Sequence, residues 1–136
     1  MKQRFASVVV LSFALLAVSL STHAQASDNV IAAKVAFAFH VGDKLYPAGS
    51  YQVTRRFELS KELMIRADKG GDSSPISVIT RLAATKHGEH ATSGNLVFDR
   101  VGDERFLSEV WLPGEDGYLV RGTAEEHQHD IVESKP

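Results

Sequence analysis

The chain has 136 residues, with 15 Lys and Arg against 17 Asp and Glu, and it contains no cysteine. The absence of cysteine excludes a disulfide framework and a thiol nucleophile. The slight acidic excess offers no basic surface for nucleic acid, so we expect no nucleic-acid partner.

Residues 1–26 have the pattern of a secretory signal peptide. Lys2 and Arg4 form a basic start, an apolar stretch covers residues 5–20, and Ala24-Gln25-Ala26 forms a small-residue cleavage site. The apolar stretch is short for a membrane span, and no second such stretch follows it. We therefore expect an exported protein, periplasmic or extracellular, that has no stable membrane span once the leader is removed.

The remaining chain has the size of one ordinary domain, about 110 residues. Its net charge is −4, because the leader holds two of the 15 basic residues and none of the 17 acidic ones. We divide it into a β domain over residues 27–122 and a polar C-terminal tail over residues 123–136, where charged and amide side chains predominate.

Alternating apolar and polar residues predict strands with one buried face in the first half of the domain. The apolar positions of three successive strands are Val35, Phe37, Phe39 and Val41, then Tyr51, Val53 and Phe57, then Leu63, Ile65 and Ala67. Gly, Pro, Asp and Ser mark the turns between them, at residues 42–44, 47–49 and 69–75.

The second half predicts a further strand near Ile76, Val78 and Leu82, a polar loop over residues 85–94, and then a hairpin. The hairpin pairs residues 96–98 with 106–112 around a turn at 101–104. Both of its faces carry apolar residues, which favours a central place in a sheet. Residues 118–120 predict one more short strand.

Six or seven short strands at regular spacing indicate a mainly all-β fold, either a small antiparallel barrel or a sandwich. The tail is predicted to form a short helix or to be disordered, because it is terminal and mostly polar.

Two sequence blocks carry a family resemblance. The first contains Pro47-Ala48-Gly49, Tyr51 and Val53, and the second extends over residues 96–114. Together they resemble a family of small exported bacterial β proteins of unknown function, in which a PAG-x-Y-x-V turn precedes a late LVF-x-R-x-GD-x-x-FL-x-x-VW hairpin. The resemblance covers residues 35–117. It implies an exported β domain and gives no catalytic residues to carry over.

Two pairs of histidines are the main candidates for chemistry. His87 and His90 lie in the long loop, and His127 and His129 lie in the tail. Imidazole nitrogens are good ligands for zinc and copper, but a built site needs three or four ligands. The two pairs therefore predict either one metal site, if they meet in space, or solvated polar side chains that bind zinc or copper only weakly.

Catalytic motifs are absent from the sequence. It has no Gly-x-Ser-x-Gly nucleophile elbow and no glycine-rich loop that opens a helix. Four carboxylates cluster in the late hairpin, but strand alternation places them on different faces: Asp99, Asp103, Glu104 and Glu109. We therefore predict no enzymatic activity and no catalytic residues.

The sequence as a whole predicts a non-catalytic exported domain that binds or interacts at the cell envelope, with no required cofactor. A protein or a small apolar ligand is the expected partner, because the domain is rich in aromatic residues that either line a pocket or fill the core. Two alternatives stay open. One is a transition-metal-binding protein that uses the four histidines, and the other is a hydrolase of envelope material.

Overall fold

The structure is a computed structural model that describes residues 30–56, 62–83 and 93–135. Regular structure in these ranges is entirely β. The strands are β1 (Val30–Val35), β2 (Phe39–Val41), β3 (Lys44–Tyr46), β4 (Gly49–Arg55), β5 (Leu63–Ala67), β6 (Ser74–Ile76), β7 (Thr80–Leu82), β8 (Asn95–Val101), β9 (Glu104–Trp111), β10 (Gly117–Leu119) and β11 (Gln128–Glu133).

The strands form two sheets. The first has the order β1-β4-β5-β6 and is antiparallel throughout. The second has the order β11-β8-β9-β10-β7, and β2 adds to β9 by one parallel bridge while pairing antiparallel with β3. Among the described residues, no strand pairing closes either sheet. The sandwich is therefore the correct alternative, and the predicted barrel is wrong.

The main core contains apolar side chains from both sheets. Ile31, Val53 and Ile65 of the first sheet and Leu96 and Leu107 of the second are at most 1% exposed and belong to one cluster. An aromatic group lies within it: the Phe39 ring meets those of Tyr51 and Phe98 edge-on at 5.2 and 5.1 Å. These rings fill the core, which was one of the two roles predicted for them.

The predicted strand count of six or seven is too low, since the described residues form eleven strands. The alternation over residues 34–41 shows why. The chain leaves the first sheet after Val35 and enters the second at Phe39. Period-two alternation continues across this crossing because both sheets contribute to the same core, so one apolar pattern covers two strands.

The late hairpin is confirmed. β8 and β9 pair around a turn in which Gly102 has a φ of 60°, a conformation that side-chain-bearing residues rarely adopt. β11 flanks β8, and β10 flanks β9. The hairpin therefore lies centrally in the second sheet, as its two apolar faces predict.

The predicted C-terminal helix is wrong, and the described tail is ordered as a strand. β11 pairs antiparallel with β8 over six residue pairs, from Gln128 opposite Arg100 to Glu133 opposite Asn95. Edge strands commonly carry charged and polar side chains, which protect their unpaired backbone edge, and no residue of β11 is fully buried. The polar composition that suggested a helix or disorder is therefore compatible with this position.

Within the described ranges, no helix is long and apolar enough to cross a membrane. Several sequence predictions lie outside the described residues: the signal peptide over residues 1–26, Phe57, and the loop histidines His87 and His90.

Candidate metal centre

The segment that connects β10 to β11 begins beside the main core, where Val120 packs, and then covers part of the opposite face of the second sheet, where Thr123 bonds Asp99. We call residues 120–127 the strap. Its first residue, Val120, donates its backbone N–H to the carbonyl oxygen of Ser108 in β9 at 2.7 Å. Arg121 places its guanidinium 3.8 Å from the centre of the Phe106 ring. The strap thus runs from β10 to β11 across β9 and β8.

Asp99 lies on this covered face. Leu96 and Phe98 of β8 point into the main core, so strand alternation turns Asp99 to the opposite side. Its side chain is only 1% exposed. Thr123 of the strap donates its hydroxyl to Oδ2 of Asp99 at 2.6 Å. The other carboxylate oxygen, Oδ1, is buried and accepts no hydrogen bond from the described residues.

A buried carboxylate oxygen that lacks a donor is unfavourable, because it has lost its hydration without compensation. What faces Oδ1 of Asp99 is a pair of imidazole rings. Nδ1 of His129 lies 3.0 Å from it, and Nε2 of His127 lies 3.8 Å from it. The His129 ring nitrogen is close without the alignment of a hydrogen bond.

Strand register and the strap bring these rings together. His129 is directly opposite Asp99 in the β8–β11 ladder, so both side chains share one face. His127 is the last residue of the strap, two positions earlier. The two imidazole rings meet edge-on, with centroids 4.9 Å apart.

One histidine is oriented by the backbone. Nδ1 of His127 lies 2.7 Å from the carbonyl oxygen of Glu125. Because a carbonyl oxygen can only accept, Nδ1 carries the proton in this hydrogen bond. The lone pair of neutral His127 is then on Nε2, the atom that faces Asp99. A ring N–H bound to a carbonyl is the usual arrangement for a histidine that ligates a metal.

The three ligand atoms lie within 4.8 Å of one another. Bonds of 2.0–2.2 Å in a tetrahedral centre would separate ligand atoms by about 3.4 Å. The separations from Asp99 Oδ1, 3.0 and 3.8 Å, bracket this value. Two imidazole nitrogens and one carboxylate oxygen suit zinc, copper or nickel, and three protein ligands leave a fourth position open.

A polar cleft of about 490 Å³ reaches His127 from the turn end of the hairpin. Arg100 and Arg105 line it, and both approach the carboxylate of Asp130, at 4.0 and 3.0 Å. The cleft gives a solvent-accessible route to the side chain of His127.

The structure brings two of the four predicted histidines together. His127 and His129 meet, whereas His87 and His90 lie outside the described residues. The residue that the sequence analysis missed as a ligand is Asp99. A signal existed in the sequence: Asp99 alternates with the apolar Val97 on one face of a hairpin strand whose two apolar faces predict a central place in a sheet.

Comparisons of this chain with protein families, with curated proteins and with solved structures found no match. The family resemblance of residues 35–117 therefore stays a prediction, and the function is argued from the site alone.

Proposed function

We propose that this protein is an exported, non-catalytic domain that binds a divalent transition-metal ion, zinc or copper, through Asp99, His127 and His129. One observation carries the proposal. The buried Oδ1 of Asp99 accepts no hydrogen bond from the described residues and faces two imidazole nitrogens at 3.0 and 3.8 Å. A cation between these atoms would compensate the buried charge and use both nitrogen lone pairs.

The competing explanation is a metal-free ion pair, in which a protonated His129 or His127 neutralises Asp99. That pair would account for the short separations and would bind no metal. The hydrogen bond from Nδ1 of His127 to Glu125 fits both explanations, because the neutral and the protonated ring can each donate it. The metal site is favoured by Oδ1 of Asp99, which accepts no hydrogen bond from the described residues, whereas a protonated ring in an ion pair would donate one to it.

Export fits this function. The leader-like residues 1–26 would deliver the domain to a compartment where it meets metal ions from outside the cell. Binding at the envelope requires only the three ligands and a route to them. The hydrolase alternative could use the open fourth position of the metal, but it would also require a positioned substrate and a general base.

Calorimetric titration of the chain lacking residues 1–26 tests the proposal, since every described residue is retained. After removal of bound metal with a chelator, zinc and copper are titrated separately. We expect one ion per chain with a dissociation constant of about 1 µM or tighter. Asp99→Asn, His127→Ala and His129→Ala should each weaken binding at least about tenfold, equivalent to about 1.4 kcal/mol.

Two control variants make the test specific. His40 pairs with Glu104 at 3.4 Å and is not one of the three candidate ligands, so His40→Ala removes a histidine of the second sheet and keeps the ligand set. His87→Ala combined with His90→Ala tests the loop pair of the original four-histidine prediction. Both controls should retain binding. A stoichiometry below one ion, or an affinity unchanged by Asp99→Asn, would contradict the proposal.

A further inference from the structure

We infer that the bound ion fastens the strap and β11 onto β8, so that metal occupancy controls the local opening of residues 122–130. This inference concerns the regulation of the proposed metal site and rests on the proposed function. It follows from where the three ligands originate.

The ligands belong to three different segments. Asp99 is fixed in the central strand β8, His127 ends the strap, and His129 lies in the edge strand β11. An ion bound to all three would join both peripheral segments to the centre of the sheet. Thr123 adds a second attachment of the strap to the same carboxylate, through its 2.6 Å hydrogen bond.

Apart from the metal ligands, the first half of β11 is held by its ladder with β8 and by side-chain pairs such as Arg100 with Gln128, and it buries little apolar surface. Ile131 is 46% exposed, and Val132 is the residue of this strand that packs against the main core. Asp130 pairs with Arg105 at 3.0 Å, but both side chains are more than a quarter exposed, so solvent screens this pair. Segments with few buried apolar contacts open locally before the whole domain unfolds.

The far end of β11 is anchored differently. Ser134 donates its backbone N–H to the carbonyl of Gly94 at 3.0 Å, and Lys135 donates to the carbonyl of Ala32 in β1 at 2.8 Å. The Ser134 hydroxyl also accepts the N–H of Ala32 at 3.2 Å. These bonds do not involve the metal ligands. The start of the strap is also anchored without metal, because Val120 and Arg121 both donate their backbone N–H to Ser108. Opening should therefore begin in the strap beyond Arg121 and at the first residues of β11, and residues 131–135 should stay attached longer.

The linkage between ion binding and closing of this segment determines how far the metal lowers the open population. An ion that binds only the closed state, present at 100 times its dissociation constant, lowers the open population about 100-fold. Amide exchange that requires this opening should slow by the same factor. Amides in β9, which is flanked by strands on both sides, should exchange more slowly than the strap before any metal is added.

Hydrogen–deuterium exchange of the chain lacking residues 1–26, with and without zinc, tests the inference. In the metal-free protein we expect residues 122–130 to exchange faster than residues 131–135 and β9. Zinc at 100 times its dissociation constant should slow residues 122–130 by up to about 100-fold. Asp99→Asn should reduce this zinc effect at least about tenfold.

Thr123→Val provides a second variant that keeps all three ligands. It should speed exchange of the strap in the metal-free protein and still bind zinc, because it removes only the hydroxyl that holds Oδ2 of Asp99. Zinc binding with unchanged exchange in residues 122–130 would overturn this inference and leave the metal site intact. Equal metal-free exchange in the strap and in β9 would also overturn it. No zinc binding by calorimetry would instead overturn the proposed function.

Discussion

Asp99 and His129 are cross-strand neighbours: they lie directly opposite each other on β8 and β11, with Oδ1 of the aspartate 3.0 Å from Nδ1 of the histidine. Thirty positions separate them in the chain, and the ladder of the sheet makes them a contact. Asp99 belongs to β8, which is paired on both sides, whereas His129 comes from the edge strand β11 and His127 from the strap.

Asp99→Asn should show how much the buried charge of Asp99 affects stability without metal, and how much of the stabilisation by zinc depends on that charge. Without metal, we expect the variant to be within about 1 kcal/mol of the natural protein in free energy of unfolding, because it removes a charge whose Oδ1 accepts no hydrogen bond from the described residues. At equal concentration, zinc should stabilise the natural protein more than the variant, by about 1.4 kcal/mol for a tenfold difference in affinity. Urea unfolding with and without zinc measures both effects. A loss above about 3 kcal/mol in metal-free Asp99→Asn would favour a buried ion pair instead.

Tyr51 should make the protein sensitive to alkali. Burial raises the pKa of Tyr51 above its ordinary value of 10.0, and the nearby Tyr46 raises that pKa further. Because the pKa of Tyr51 is higher in the folded state than in the unfolded state, the neutral side chain contributes to the free energy of unfolding. That contribution is complete below pH 10 and is lost as the pH rises through the folded-state pKa.

The variant Tyr51→Phe tests this. It should cost about 1 kcal/mol at neutral pH, because the hydroxyl donates to the carbonyl of Pro47 at 2.5 Å. Its unfolding free energy should also fall less steeply above pH 10. Urea unfolding at several pH values gives both quantities, and an unchanged slope above pH 10 would contradict the prediction.

Gly117 should tolerate no side chain. A Cβ added there would lie 2.7 Å from three ring atoms of Trp111, which is fully buried and cannot move aside easily. We expect Gly117→Ala to destabilise the fold by about 1–3 kcal/mol in urea unfolding. Gly122→Ala is the matched control, since a Cβ at that position meets no atom within 4 Å. Equal stabilities of the two variants would refute this packing argument.

An ion pair between Arg55 of β4 and Glu115 of the β9–β10 turn should couple the two sheets. Both side chains are less than a fifth exposed, and the Tyr118 hydroxyl donates to the same carboxylate at 3.3 Å. A double-mutant cycle with Arg55→Met and Glu115→Gln should give a coupling of about 1–3 kcal/mol.

The exposed pair Arg56 and Glu62 serves as the reference for that cycle, because its side chains are 50% and 41% exposed. Its coupling should be below about 1 kcal/mol. A coupling at Arg55 and Glu115 no larger than this reference would show that the more buried pair does not tie the sheets together.

The sequence by itself determined the local elements of this protein. Alternation at Leu63, Ile65 and Ala67 and the turn at Gly102 depend on residues close in the chain, so the strands and the late hairpin were predictable. The two apolar faces of the hairpin also placed it at the centre of a sheet, because only a strand covered on both faces needs them.

Tertiary structure alone decided how those elements combine. The choice between two open sheets and a barrel depends on which distant strands pair, and the alternation around Val35 and Phe39 reads the same in either case. The tail carries no strand signal of its own. It becomes β11 because the edge of β8 offers a ladder of backbone partners. That pairing places His129 opposite Asp99 and brings His127 over the same carboxylate. The candidate metal site is therefore a product of strand register, a long-range property that no spacing within the sequence encodes.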